Sequence, residues 1–167
     1  ETYLDGKKLG EEYLAPYIND YESGIQVLTF PIEKSLEEEK EYTLSILLGK
    51  GWYMGTFGLK NQSCLFGDEM KAIAELHVDY EDGSQEVIGT DESWKYRGSD
   101  IEDSGIYMGE IYNHSLWEKR ENPWKKVEIK TAPGRLTERY SLPVVAKEEL
   151  HPKEIIHTPA GETVVDF

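Results

Sequence analysis

The side chains with most chemical potential are carboxylates gathered in one stretch, Glu92, Asp100, Glu102, Asp103 and Glu110. Two carboxyl groups at a fixed separation can act as acid and base on a glycosidic bond. With 33 Asp and Glu among 167 residues, however, such pairs arise by chance. These five lie on or beside loop-like sequence, where short acidic side chains bond to turns and stay solvated. The pattern favours surface roles over a catalytic dyad. Glu110 stands apart because Ile106, Tyr107, Met108, Ile111 and Tyr112 around it are apolar. If buried it would need hydrogen-bond donors, so a structural Glu and a ligand-binding acid both stay open.

Other reactive types are sparse. His77, His114, His151 and His157 are scattered, with no pair at metal-ligand spacing on one element and no His-Glu-x-x-His. The single cysteine, Cys64, can form neither an internal disulfide nor a zinc cluster, and no base stands beside it. It reads as a small structural residue. There is no Gly-x-Ser-x-Gly elbow and no phosphate loop. In Asp79-Tyr80-Glu81-Asp82-Gly83 the glycine falls one position early for an EF-hand, and the distal Glu is misplaced. Asn61-Gln62-Ser63 and Asn113-His114-Ser115 match the glycosylation acceptor pattern.

The most unusual string is Gly49-Lys50-Gly51-Trp52-Tyr53-Met54-Gly55. Glycines bracket two adjacent aromatic rings where a strand ends, and glycine lets the backbone turn sharply. The rings either plug the end of a β-structure or form a platform on which a sugar stacks. The plug is the simpler reading; the platform is the functional alternative.

The net charge of −15 repels phosphate backbones and anionic lipid, so neither nucleic acid nor membrane is an expected partner. It would favour cations such as calcium, although a solvated acidic face is the commoner meaning. No apolar run reaches the roughly 18 residues of a membrane span, and no signal-peptide pattern is present. One cysteine suits a reducing compartment, which favours the cytoplasm slightly over secretion. Glu1-Thr2-Tyr3-Leu4 and Thr163-Val164-Val165-Asp166-Phe167 both read as strands, so the chain is expected to be cut from a longer polypeptide.

The elements that must position these groups are strands. The apolar period is two: Tyr42, Leu44, Ile46 and Leu48 share one face, as do Ala72, Ala74, Leu76, Val78 and Tyr80. Glu81-Asp82-Gly83-Ser84 reads as a hairpin turn into a return strand over 85–89. Further strands are expected over 25–30, 106–112, 124–130, 142–146, 154–157 and 162–167, the last two joined at Thr158-Pro159-Ala160-Gly161. A single helical turn is expected over 33–40. Roughly nine short strands at this turn spacing predict an all-β fold, a jelly-roll-like, galactose-binding-like antiparallel sandwich. A soft boundary at Leu142-Pro143 divides a sandwich over 1–141 from strands over 142–167 that start a following β-domain.

Several strings occur in an order that resembles the N-terminal β-sandwich domain of bacterial α-L-rhamnosidases. They are Tyr3 to Gly10, Tyr13 to Pro16, Leu48 to Gly55, Val78 to Ser84, Thr90-Asp91-Glu92-Ser93-Trp94-Lys95, Ile106-Tyr107-Met108-Gly109-Glu110, and His157 to Phe167. The resemblance implies a multidomain glycoside hydrolase that removes terminal L-rhamnose with inversion. Its acid and base would sit in a helical barrel that this chain lacks. The fragment alone is then expected to be inactive, packing on the remaining domains of its parent. The resemblance also implies an alternative, a calcium-dependent L-rhamnose-binding module. Its calcium ligands would include Asp103 and Asn113; its sugar contacts would be Trp52, Tyr53, Glu110 and Asn113. Calcium takes about 6–8 oxygens, and sugar hydroxyls can supply some of them.

Overall fold

The computed structural model of the chain describes residues 1–32, 36–37, 39–115, 122–131 and 134–167. The all-β class expected from the period-two pattern is the class observed. In chain order the elements are β1 (Thr2–Leu4), β2 (Lys7–Leu9), β3 (Glu12–Tyr13), β4 (Ile25–Val27), β5 (Leu44–Ile46) and α1 (Gly51–Met54). Then come β6 (Glu75–Asp79), β7 (Gln85–Gly89), β8 (Lys95–Tyr96), β9 (Ile101–Gly105), β10 (Gly109–Tyr112) and β11 (Lys125–Lys126). The chain ends with β12 (Leu136–Glu138), β13 (Val144–Val145), β14 (Glu154–His157) and β15 (Thr163–Asp166).

Local chemistry explains the hairpins. Asp5 and Gly6 both take positive φ, 47° and 76°, which makes the tight turn between β1 and β2. The Asp5 carboxylate then accepts the Thr43 backbone N–H at 2.8 Å and joins this hairpin to β5. A three-stranded sheet results, in the order β2-β1-β5, with Leu4 buried at its centre. Between β6 and β7 the turn closes with Gly83 N–H donating to the Tyr80 carbonyl at 2.9 Å, and Gly83 has φ 84°. Leu76 and Val78 are half-buried while Glu75, His77 and Asp79 are exposed, so the alternation read from sequence sets the inner face here. Ala72 and Tyr80, assigned to that face, are exposed instead.

Three expectations need correction. The strand expected over 106–112 is two strands: β9 and β10 pair antiparallel, and 106–108 form the turn between them. Gly109 at φ 73° makes that turn possible where an unbroken strand would not. The short helix is α1 at 51–54; of the 33–40 stretch expected to hold it, residues 33–35 and 38 lie outside those described. Finally, β4 pairs in parallel with β12, a strand the local pattern did not mark.

Among the described residues the remaining sheets are two-stranded: β3 with β13, β4 with β12, β6 with β7, β8 with β11, β9 with β10 and β14 with β15. Few of the described side chains are buried. Leu4 and Tyr17 are 7% and 9% exposed, and Gln26 on β4 is 4% exposed. Tyr17 accepts the Val144 N–H at 3.0 Å and donates to Glu12 at 3.2 Å, holding β13 against β3. Gln26 Oε1 accepts from Ser141 Oγ at 2.9 Å, while its Nε2 has no protein partner. No helix of the described residues is long and apolar enough to cross a membrane.

Candidate functional site

The glycine-bracketed string forms the site. Gly51 takes φ 47°, a left-handed conformation that a side chain would resist. The backbone can therefore turn into α1, and the Met54 and Gly55 N–H groups bond back to the Lys50 and Gly51 carbonyls. Trp52 and Tyr53 leave this turn half-buried. Trp52 meets Phe57 edge-on, with centroids 5.8 Å apart and planes at 76°. Tyr53 meets Tyr21 in the same way at 5.2 Å, Tyr21 packs on Phe66 at 4.9 Å, and Phe66 stacks on Phe57 at 6.4 Å. These are favourable ring geometries. Gly67 closes the group: a Cβ there would lie 2.0 Å from the Tyr53 hydroxyl. The two rings are thus engaged with other rings.

Beside α1 lies a cavity of about 120 Å³ lined by Lys50, Met54, Cys64, Asp103, Ser104 and Met108 among others. Lys50 Nζ donates to Asp103 Oδ1 at 2.8 Å, joining the α1 turn to β9. The ammonium group beside it holds the Asp103 carboxyl below the ordinary carboxylate value. The same Oδ1 accepts the Ser104 N–H at 3.1 Å. Cys64 is exposed and has the Met54 carbonyl 3.8 Å from its sulfur, which agrees with a structural role.

The residues singled out from sequence fall into separate groups. Trp52 and Tyr53 belong to the aromatic cluster and Asp103 to the ion pair. Asn113 is half-buried beyond the end of β10. Its Nδ2 donates to Glu102 at 2.6 Å, and its Oδ1 accepts from the Ser115 hydroxyl at 2.6 Å and the Ser115 N–H at 3.2 Å. Glu110 faces solvent on β10, paired in register with Ser104, so it has no burial to offset. The Tyr112 hydroxyl lies 3.3 Å from His114 Nδ1, and the Asp100 carboxylate raises the Tyr112 pKa. Of the carboxylates in this stretch, Asp103 is thus in an ion pair, Glu102 accepts from Asn113, and Glu110 is solvated.

Calcium needs a convergent shell of hard oxygens. Oδ1 of Asp103 is taken by an ammonium group and Oδ1 of Asn113 by Ser115. Among the described residues no three His, Cys, Asp or Glu side chains are grouped to hold a metal. As arranged, Asp103 and Asn113 do not fit a calcium ion. The partners missed from sequence were Lys50, Tyr21, Phe57 and Phe66. Lys50 carried one signal, a cation set between two glycines in the singled-out string.

Comparison with known proteins gives a consistent picture. The family model described as the alpha-L-rhamnosidase N-terminal domain matches residues 1–149. An α-L-rhamnosidase of Streptomyces avermitilis is 27% identical across the whole of this chain, which covers 17% of that protein. One of Formosa agariphila is 25% identical, again across the whole chain and 19% of the relative. The chain therefore spans under a fifth of the length of these curated relatives. The crystal structure of the native Aspergillus terreus α-L-rhamnosidase superimposes on 99% of the chain with a TM-score of 0.82 and 25% identity, over 20% of that structure. The Streptomyces avermitilis enzyme complexed with L-rhamnose matches with the same TM-score at 23% identity, covering 99% of this chain and 17% of its own, a likeness of fold. The sequence strings, the β-architecture and these matches together place the chain in the α-L-rhamnosidase N-terminal domain family.

Proposed function

We propose that this chain is a noncatalytic β-domain of an α-L-rhamnosidase and supports the part of the enzyme that performs the chemistry. The observation that carries this reading is the match of residues 1–149 to the N-terminal domain, the aligned portion being under a fifth of the relatives' length. The geometry supports it from the other direction. Asp103 and Asn113 are held by protein partners, and Trp52 and Tyr53 pack on other rings. The parent enzyme would release terminal L-rhamnose, with inversion at the anomeric carbon as the resemblance implies.

The test is to assay a chromogenic α-L-rhamnoside with the full-length protein and with this chain alone. Hydrolysis is expected only from the full-length protein, and the first-formed anomer, read by NMR, would show inversion. Turnover by the chain alone would overturn the noncatalytic reading. Titration of the full-length protein and the chain with L-rhamnose, with and without calcium, separates support from sugar binding. Calcium-dependent heat from the chain would favour the binding module instead.

A further inference from the structure

The cavity beside α1 is lined with oxygen. Asp103 brings a carboxylate to its wall, and Thr56, Ser63 and Ser104 are hydroxyl-bearing residues on the same lining. Calcium takes oxygen ligands. Lys50 is the one lining residue that carries a positive charge. Its Nζ donates to Asp103 Oδ1 at 2.8 Å, the atom a metal would need. The backbone brings these groups together. A Cβ on Gly49 would stand 3.6 Å from Ser104 Oγ, so the approach to Lys50 lies against β9. Gly51 at φ 47° then turns the chain into α1. The Lys50 side chain has only to bridge the remaining gap. A dication in the same place would have to displace this ammonium group or sit beside a like charge. Displacement is opposed by the tether. Lys50 meets Asp103 at an effective concentration of about millimolar or above, whatever the calcium level in solution. Asn113, the other implied ligand, offers no compensation, since Glu102 and Ser115 hold both ends of its amide.

We propose that Lys50 is a built-in cation that takes the metal's place in this cavity, so that the cavity binds no calcium. One residue then sets the difference. Lys50→Asp would put a second carboxylate opposite Asp103 and turn the same wall into a site for a divalent cation. The proposal goes beyond the noncatalytic reading and departs from the calcium ligation that the resemblance implied.

Calorimetric titration with calcium tests this on the chelator-treated full-length protein and its variants. Wild type and Asp103→Asn should bind the same number of calcium ions, because Asp103 holds none. Lys50→Asp should bind one more, with a Kd on the order of 0.1–1 mM, the range of weak calcium modules. Combining Lys50→Asp with Asp103→Asn should remove that ion again. If Asp103→Asn costs the wild type a calcium ion, the proposal is overturned, because the carboxylate then serves a metal despite Lys50. It is equally overturned if Lys50→Asp gains no ion, because the ammonium group then does not stand where a metal fits. Thermal midpoints give a second readout. Without calcium the facing carboxylates of Lys50→Asp should lower the midpoint, and millimolar calcium should restore it. Should Lys50→Asp not fold, Lys50→Asn adds a neutral oxygen without the repulsion and carries the same titration. None of these readouts uses hydrolysis, so failure of the activity reading and failure of this proposal are told apart.

Discussion

Lys50 Nζ lies 2.8 Å from Asp103 Oδ1 and joins two segments 53 residues apart in sequence. A cation carried by the chain thereby occupies the carboxylate that was a candidate metal ligand. The pair also forms part of the cavity wall between the α1 turn and β9. Both side chains are about half exposed, so its role is geometric more than energetic.

The pH dependence of this pair has a definite sign. The Lys50 hydrogen bond, then its charge, lower the Asp103 pKa from 3.8. The folded state therefore binds this proton less readily than the unfolded one. The pair's contribution is present at neutral pH and is lost as pH falls below 3.8 through the folded-state value. NMR titration of aspartate-labelled full-length protein should show the Asp103 carboxyl below the ordinary range, and Lys50→Met should return it upward. No movement on that substitution would refute the assignment.

The contact between Gly67 and Tyr53 predicts a clash that a second change relieves. In Gly67→Ala the new Cβ meets the Tyr53 hydroxyl at 2.0 Å and its ring carbons at 2.3 and 2.6 Å. Displacing the ring from Tyr21 should cost about 1–3 kcal/mol. Adding Tyr53→Phe removes the nearest atom and should restore part of the loss. A double-mutant cycle on denaturation midpoints measures the coupling, and simple additivity would show that the two sites do not touch.

Trp52 separates packing from sugar contact. Its ring is engaged with Phe57, so Trp52→Ala should lower the thermal midpoint of the full-length protein. KM for a rhamnoside should stay within about two-fold, a change worth under ~0.5 kcal/mol. A large rise in KM at unchanged stability would mark Trp52 as a sugar platform.

Gln26 is a buried polar group whose carbonyl accepts from Ser141 while its amide nitrogen finds no protein partner. Gln26→Ala leaves the Ser141 hydroxyl without this acceptor and should destabilise by about 1–3 kcal/mol. Gln26→Ala combined with Ser141→Ala should lose less than the sum of the two single changes. Chemical denaturation of the four proteins provides the comparison.

The sequence alone determined what depends on neighbouring residues. Apolar alternation placed Leu76 and Val78 on the inner face of β6, and Glu81-Asp82-Gly83-Ser84 marked the turn into β7, because side-chain period and positive φ are local properties. The ordered strings from Tyr3 to Phe167 carried the family resemblance for the same reason, being readable without knowing what touches what. Only the tertiary structure decided that β4 runs parallel to β12, that Asp103 finds Lys50, and that Trp52 and Tyr53 lie against Phe57 and Tyr21. Each of these joins residues far apart along the chain. Such pairings are set by the closure of the whole fold, and the type of a ring or a carboxylate does not reveal whether a partner will arrive to occupy it.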